Sequence, residues 1–251
     1  MSTDQIILIG SSVATWITAV IILFTLREMA RQRRDAIKPE IVPVRQSVFA
    51  QKDPNITFDA PIFWLSDLME EYEKTKNYGR YSVKLFNLGN GAAKNIKISW
   101  SFSVEEFTAH VNSLSPEGKY RVAVGTKELL GMTVFQNDSA VQSINLELDQ
   151  KRDYDYLLPA SIESTGLSVQ FPLSYSTLFS LYSALIYSEP MRTGADNLGA
   201  DYSIPPLQLK ISYEDINGKK YRAAFKFIIT ITAIFPSKNE GVGFHGNLDY
   251  T

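Results

Sequence analysis

The chain has 251 residues, no cysteine and a formal net charge of −2. Its first 38 residues carry +2, from five basic side chains against Asp4, Glu28 and Asp35, so residues 39–251 are mildly acidic at −4. That balance argues against nucleic acid as a main partner, which calls for a basic face. The wealth of aromatic and β-branched residues argues against a disordered chain.

Residues 1–4 form a short polar tail, and residues 5–26 contain no charged side chain. A bilayer core about 30 Å thick is crossed by about 20 apolar residues rising 1.5 Å each, so residues 5–26 read as one membrane-spanning helix. A cleaved signal peptide has a basic start and a small-residue cleavage site. Here the chain opens Met1-Ser2-Thr3-Asp4, and Arg27-Glu28-Met29-Ala30-Arg31 continues in helical character. A buried helix of a soluble core seldom runs this far without one charge. Arg27, Arg31, Arg33, Arg34 and Lys38 all follow the span and none precedes it. The positive-inside rule therefore keeps the trailing side in the cytosol and translocates the leading tail. The expectation is a single-pass protein of the inner cell membrane with its soluble domain cytosolic. A topology signal accounts for the basic cluster without a separate role in lipid binding.

At 100° per residue, Gly10, Ser11, Ala14, Thr15, Thr18 and Ala19 share one half of the spanning helix, joined later by Thr25. Val13, Trp16, Ile17, Val20, Leu23 and Phe24 share the other. Small residues let two helices approach closely and their hydroxyls bond across the gap. That face predicts contact with a second copy or with another membrane protein. The plainer alternative is that the hydroxyls bond their own backbone. Residues 27–40 are a basic juxtamembrane helix or stalk, stopped by Pro39, because helix is disfavoured before proline.

Residues 41–236 read as one β-rich domain. Ile41-Val42-Pro43-Val44 is extended, and its proline suits a sheet edge. Residues 51–57 read as loop and residues 62–72 as a short helix or irregular crossing. Residues 80–88 alternate, with Tyr81, Val83, Leu85 and Asn87 on one face; residues 93–102 alternate with Ile96, Ile98 and Trp100 inward. The Gly89-Asn90-Gly91 stretch between them reads as a turn tolerant of positive φ, joining a paired β-unit. Residues 104–114 form a helix, with Ser103 as cap and Glu106 three residues on. Residues 120–124, 130–135, 141–148, 154–158 and 167–171 read as strands. Residues 173–187 have helical spacing and are expected to cap one end or edge of the sheet, with a surface-dipping segment as the alternative. A polar loop covers 188–203. Residues 207–213 and 220–235 flank Asn217-Gly218, the strongest hairpin signal in the chain. Residues 227–235, apolar on both faces, are expected to form a central strand covered on both sides. Residues 237–251, with Gly241, Gly243 and Gly246, read as a flexible tail. Strands at regular spacing without βαβ alternation predict an antiparallel β-sandwich with one or two inserted helices.

The segment Asn87-Leu88-Gly89-Asn90-Gly91-Ala92-Ala93-Lys94-Asn95-Ile96, together with Ile211-Ser212-Tyr213-Glu214-Asp215-Ile216-Asn217-Gly218, resembles a recurring class of bacterial single-pass membrane proteins. In that class a spanning helix and basic stalk precede an immunoglobulin-like β-sandwich. The similarity covers about a third of the chain and implies a fold, not a chemistry. This chain departs from a minimal sandwich in residues 103–205, which read as an insertion.

No catalytic signature emerges. His110 and His245 stand alone without ligands at zinc spacing, and neither a G-x-S-x-G elbow nor a phosphate-binding glycine loop occurs. Asn55 and Asn137 open chance glycosylation triplets. The acidic groups Asp67, Glu70 and Glu71, and Asp149, Asp153 and Asp155, read as solvated surface; a hydrolase built on Asp153 and Asp155 rests on little. Asp153, Tyr154, Asp155 and Tyr156 alternate as a recognition edge would, since tyrosine gives contact area at low entropic cost. No catalytic residue, cofactor or metal ligand is assigned. The reading is a membrane-anchored, non-enzymatic interaction or scaffold subunit in a homo- or hetero-oligomeric complex. Its partners would be the bilayer, itself or another membrane protein, and an unknown cytosolic protein. The alternative is a stress- or phage-responsive membrane effector acting through assembly of its spanning helices.

Overall fold

The charge-free run lies within a single helix, α1 (Thr3–Ala36), about 50 Å long at 1.5 Å per residue. The computed structural model describes residues 3–52, 60–65, 81–115, 119–125, 131–193, 204–237 and 241–251. α1 ends three residues before Pro39, as the restriction on the residue preceding proline requires. The part of α1 covering Val13–Arg33 is long and apolar enough to cross a membrane, and among the described residues no other element buries it. Trp16 there is 75% exposed.

The rest is mainly antiparallel β structure. One sheet of seven strands has the order β3 (Phe63–Leu65), β2 (Gln46–Gln51), β13 (Gly241–Tyr250), β12 (Lys220–Ser237), β11 (Leu207–Glu214), β5 (Ala93–Ser101) and β9 (Lys151–Leu157). A three-stranded sheet, β1 (Ile41–Pro43), β4 (Ser82–Asn87) and β10 (Leu167–Gln170), packs over one face of it. A third sheet, β6 (Tyr120–Val124), β7 (Gly131–Gln136) and β8 (Ser139–Asn145), lies outside the pair. Helices α2 (Val104–Leu114), α3 (Leu146–Gln150) and α4 (Leu173–Thr193) complete the described elements. Period-two alternation drives the layering. Val83 and Leu85 of β4 and Val169 of β10 are buried with Ile96, Ile98, Trp100, Leu209 and Ile211 of the large sheet. Trp100 Nε1 donates to Gln170 O at 3.1 Å and ties the two sheets together.

Several expectations change. β4 and β5 are not a hairpin: β4 pairs with β1 and β10, whereas β5 pairs with β11 and β9. The Gly89-Asn90-Gly91 stretch is an arch between sheets, and its glycines do not have positive φ. They are needed for close approach, since a Cβ at Gly89 would strike the Lys38 carbonyl and one at Gly91 the Ile37 carbonyl. Residues 241–250, expected in a flexible tail, form β13, which runs between β12 and β2 and buries Phe244 and Leu248. Its glycines make room for neighbours; a Cβ at Gly243 would meet the Phe235 ring, which stacks on Phe49 at 4.9 Å.

Nor does α4 cap an edge or dip into a surface. It runs through the core between α2 and β13, with Leu178, Phe179, Leu181 and Tyr182 buried alongside Ser174, Thr177, Ser180 and Ser183. Each hydroxyl finds a partner: Ser180 donates to Pro61 O (2.7 Å) and accepts from Trp64 Nε1 (2.8 Å), Thr177 bonds Gln142, and Ser183 bonds Phe179 O. Satisfied in this way, buried hydroxyls cost little.

β12 is central in its sheet but open on one face, where Ile228 is 45% exposed. Ser103 occupies the cap position of α2 without a side-chain hydrogen bond. Residues 63–65 are strand rather than helix, and the strand expected over 141–148 stops at Asn145, where α3 begins. The segment 103–205 is more than an insertion, since it contributes β9 and β10 to the two sheets and α4 to the core.

Candidate interaction surfaces

The stalk is fastened to the domain by Asn87, which is 1% exposed at the end of β4. Its Oδ1 accepts from Glu40 N (2.9 Å) and Gly89 N (3.1 Å), while its Nδ2 donates to Gly91 O (2.7 Å) and Leu157 O (3.2 Å). One side chain thus joins the stalk, the arch and the end of β9. Leu88 N donates to Glu40 O (2.8 Å), and Tyr213 OH donates to Pro39 O (3.4 Å). Burial pushes the Tyr213 hydroxyl pKa up; the Ile41 backbone hydrogen bond opposes this, and the Glu40 carboxylate adds to it.

Asp215 organises the nearby β11–β12 hairpin. Its Oδ1 accepts from Asn217 N (2.8 Å) and Lys219 N (2.9 Å), its Oδ2 accepts from Tyr221 OH (3.2 Å), and Gly218 takes φ +83°. Burial raises the Asp215 carboxyl pKa, but the Lys219 and Asn217 amides, the Tyr221 hydroxyl and the Lys219 ammonium outweigh it and hold the group below its ordinary value.

Asp153, Tyr154, Asp155 and Tyr156 fall together on β9, an edge strand of the large sheet. β9 pairs with β5 on one side, Ile96 opposite Tyr154 and Lys97 opposite Asp153, and no strand among the described residues pairs with the other side. Tyr156 is 63% exposed and both carboxylates are open to solvent. Tyr154 turns inward to reach Ser168 O at 3.5 Å, and burial raises its hydroxyl pKa against the opposing charge of Arg152. A strand edge with free backbone groups accepts another extended segment.

Asp149 leaves the acidic group proposed with Asp153 and Asp155. It is buried and caps α4, accepting from Leu173 N (2.9 Å), Ser174 N (2.8 Å) and Ser174 Oγ (2.7 Å). Asp67, Glu70, Glu71 and Asn55 lie outside the described residues. Asn137 and Asp138, both at positive φ, form the turn of the β7–β8 hairpin, a role the Asn-Asp pair signals. His110 on α2 stacks on Tyr182, whereas His245 on β13 places its Nδ1 2.9 Å from Thr232 Oγ1.

On α1, Thr18 Oγ1 donates to Ala14 O (2.8 Å) and Thr25 Oγ1 to Ile21 O (2.9 Å), so these two hydroxyls bond their own helix. Ala14, Thr15, Thr18 and Ala19 are exposed along the helix, and Gly10 and Ser11 belong to the same helix. Among the basic residues, Arg31 approaches Asp35 at 3.9 Å with both side chains largely exposed. Arg27, Arg33 and Lys38 are exposed, and Arg34 lies in the same helical turn as Arg33.

The residue pattern alone did not single out a cleft of about 820 Å³ on the face of the large sheet that no described element covers, lined by β9, β5, β11 and β12. Its walls include Lys97, Lys151, Lys210 and Arg222, and its floor includes Ser99, Ser212 and Ala224. The outward positions of the alternating strands were the available signal, because they place lysine or arginine on four neighbouring strands.

No family model, curated protein or solved structure matches the chain.

Proposed function

We propose that the protein is a membrane-anchored, non-enzymatic interaction subunit, with α1 as the anchor and the β domain as the presented module. The observation that carries this reading is an uncovered apolar helix running without interruption into a stalk that is hydrogen-bonded to the domain. Left in water, its large apolar side chains would each forgo about 1.5–3 kcal/mol of burial. A leader destined for removal has no need of a domain built around its far end, as the glycines facing Ile37 and Lys38 are. The five basic residues after the span favour a cytosolic domain in the inner membrane. The open β9 edge supports docking of a cytosolic protein by strand addition. The small-residue face of α1 supports pairing with a second copy or another membrane protein.

The two facing sheets fit an immunoglobulin-like sandwich with added elements, and with it the bacterial single-pass class. Full-length protein should float with liposomes through alkaline carbonate and copurify with a partner, or with itself, from mild detergent. Release by carbonate would remove the anchor, and recovery of bare monomer alone would remove the scaffold. The uncovered small-residue face also fits an effector in which stress or phage sensing changes helix assembly. Expression would then depolarise the membrane in a manner dependent on residues 1–26, and an unaltered potential would dismiss this second reading.

A further inference from the structure

The uncovered face of the large sheet concentrates positive charge in a domain whose residues 39–251 are net negative. Strand register defines the arrangement. Ser212 on β11 lies opposite Lys97 of β5 on one side and Arg222 of β12 on the other. Lys210 is two residues along the same strand, so its side chain rises from the same face. Ser99 lies opposite both Lys210 and Lys151. Three cations therefore surround one hydroxyl, with a fourth beside them.

Lys97, Lys210 and Arg222 make no ion pair or hydrogen bond among the described residues, and all three are exposed. Lys151 reaches Glu147 at 3.4 Å in a solvated pair. Arg152 also lines the cleft, but its guanidinium is spent on Leu148 O, Lys151 O and Gln170. Asp153 is the one carboxylate of the lining. Like charges about 8 Å apart repel by about 0.5 kcal/mol per pair even in water, and a bound anion removes that repulsion. One carboxylate would neutralise one of the three free cations. A tetrahedral phosphate offers several oxygens and more than one charge to ammonium and guanidinium donors. The small floor residues leave room for it, and the cleft volume falls in the range of small-molecule sites.

We propose that this cleft binds a phosphorylated small anion, held by Lys97, Lys210 and Arg222 with the Ser99 and Ser212 hydroxyls as donors. The phosphate has two sources, a soluble metabolite or a lipid headgroup. This inference does not depend on the scaffold reading.

The test uses the full chain in nanodiscs of neutral phosphatidylcholine, titrated calorimetrically with inorganic pyrophosphate. Saturable binding is expected that weakens with added salt. Lys210→Ala and Arg222→Ala should each weaken it about tenfold or more, the usual worth of a charge-assisted hydrogen bond. Lys226→Ala, on the same strand outside the lining, should change it less than about twofold. Unchanged thermal midpoints would establish that these surface variants fold. A second set of nanodiscs containing phosphatidylglycerol separates the sources. Weaker pyrophosphate binding there, with the loss removed by Arg222→Ala, assigns the site to headgroups; unchanged binding assigns it to a soluble ligand. Absence of saturable binding in neutral nanodiscs, or binding indifferent to both cleft variants, overturns the proposal.

Discussion

Asn87 makes four hydrogen bonds from a buried amide, two accepted and two donated, and only an amide can do both at this spot. Asn87→Asp keeps the shape but removes both donors, so Gly91 O and Leu157 O lose their bonds from Nδ2. With two buried hydrogen bonds lost at about 0.5–1.5 kcal/mol each, and up to about 3 where a carbonyl is left unsatisfied, the variant should lose about 1–6 kcal/mol, read as a lower urea midpoint. Asp215 makes a second residue-level case, through pH. Its pKa is depressed in the folded chain, so its contribution is complete above the unfolded value of 3.8 and fades as pH falls through the lower folded value. Asp215→Asn should therefore be less stable than the wild type above about pH 5, and the difference should shrink toward about pH 2. A constant difference across an acid titration of the thermal midpoint would contradict this. Inward-facing residues such as Val83, Ile96, Ile98 and Trp100 were legible because alternation alone sorts them. Asn87 was legible as inward but not as a fastener, since its four partners come from three separate segments of the chain.

At the scale of elements, local signals held where local chemistry decides and failed where distant packing does. The β11–β12 hairpin and helix α2 follow from short-range pattern. The arch at residues 88–92 does not, since a glycine that admits a neighbouring carbonyl looks the same in sequence as one that makes a turn. The burial of α4 does not follow from its spacing alone, because the partners of its Ser180, Thr177 and Ser174 hydroxyls, Pro61, Gln142 and Asp149, lie well apart from them in sequence. β13 was hidden by the same ambiguity, because Gly241, Gly243 and Gly246 have the composition of a loose end. It is instead a buried strand, which has a measurable consequence. Phe244 is fully buried, with its ring 5.4 Å from Phe179 and 5.6 Å from Trp64, so Phe244→Ala should cost about 3–5 kcal/mol. Ending the chain after Ser237 should leave β2 and β12 unpaired on facing edges and render the domain susceptible to limited proteolysis. A clipped chain that kept the full melting temperature would return residues 238–251 to the status of an appendage.

For the whole molecule, topology decides which solution the β9 edge and the cationic cleft meet. The proposed orientation rests on Arg27, Arg31, Arg33, Arg34 and Lys38, which follow the apolar run. Such clusters resist translocation when they lie close to the end of the span. The helix carries on from residue 26 to Ala36, about 15 Å at 1.5 Å per residue. The headgroup layer is about 5–8 Å deep on each side, so the nanodisc comparison decides whether the cleft meets lipid headgroups or soluble ligands. In the proposed cytosolic orientation the domain would meet phosphorylated metabolites and cytosolic proteins, the ligands proposed for the two surfaces. Thr251 joins the large sheet through reciprocal bonds with Lys226 at 3.0 Å, so a fusion there reports the domain's own compartment. Alkaline phosphatase placed after Thr251 should be inactive, whereas green fluorescent protein at the same point should fluoresce. Replacing Arg27, Arg31, Arg33 and Arg34 by Gln while adding lysines at positions 2 and 3 should reverse both signals in part of the population, because the bias is then carried by the opposite end. An active phosphatase on the unaltered chain would place the domain outside the cytosol and remove cytosolic proteins and metabolites as its ligands together.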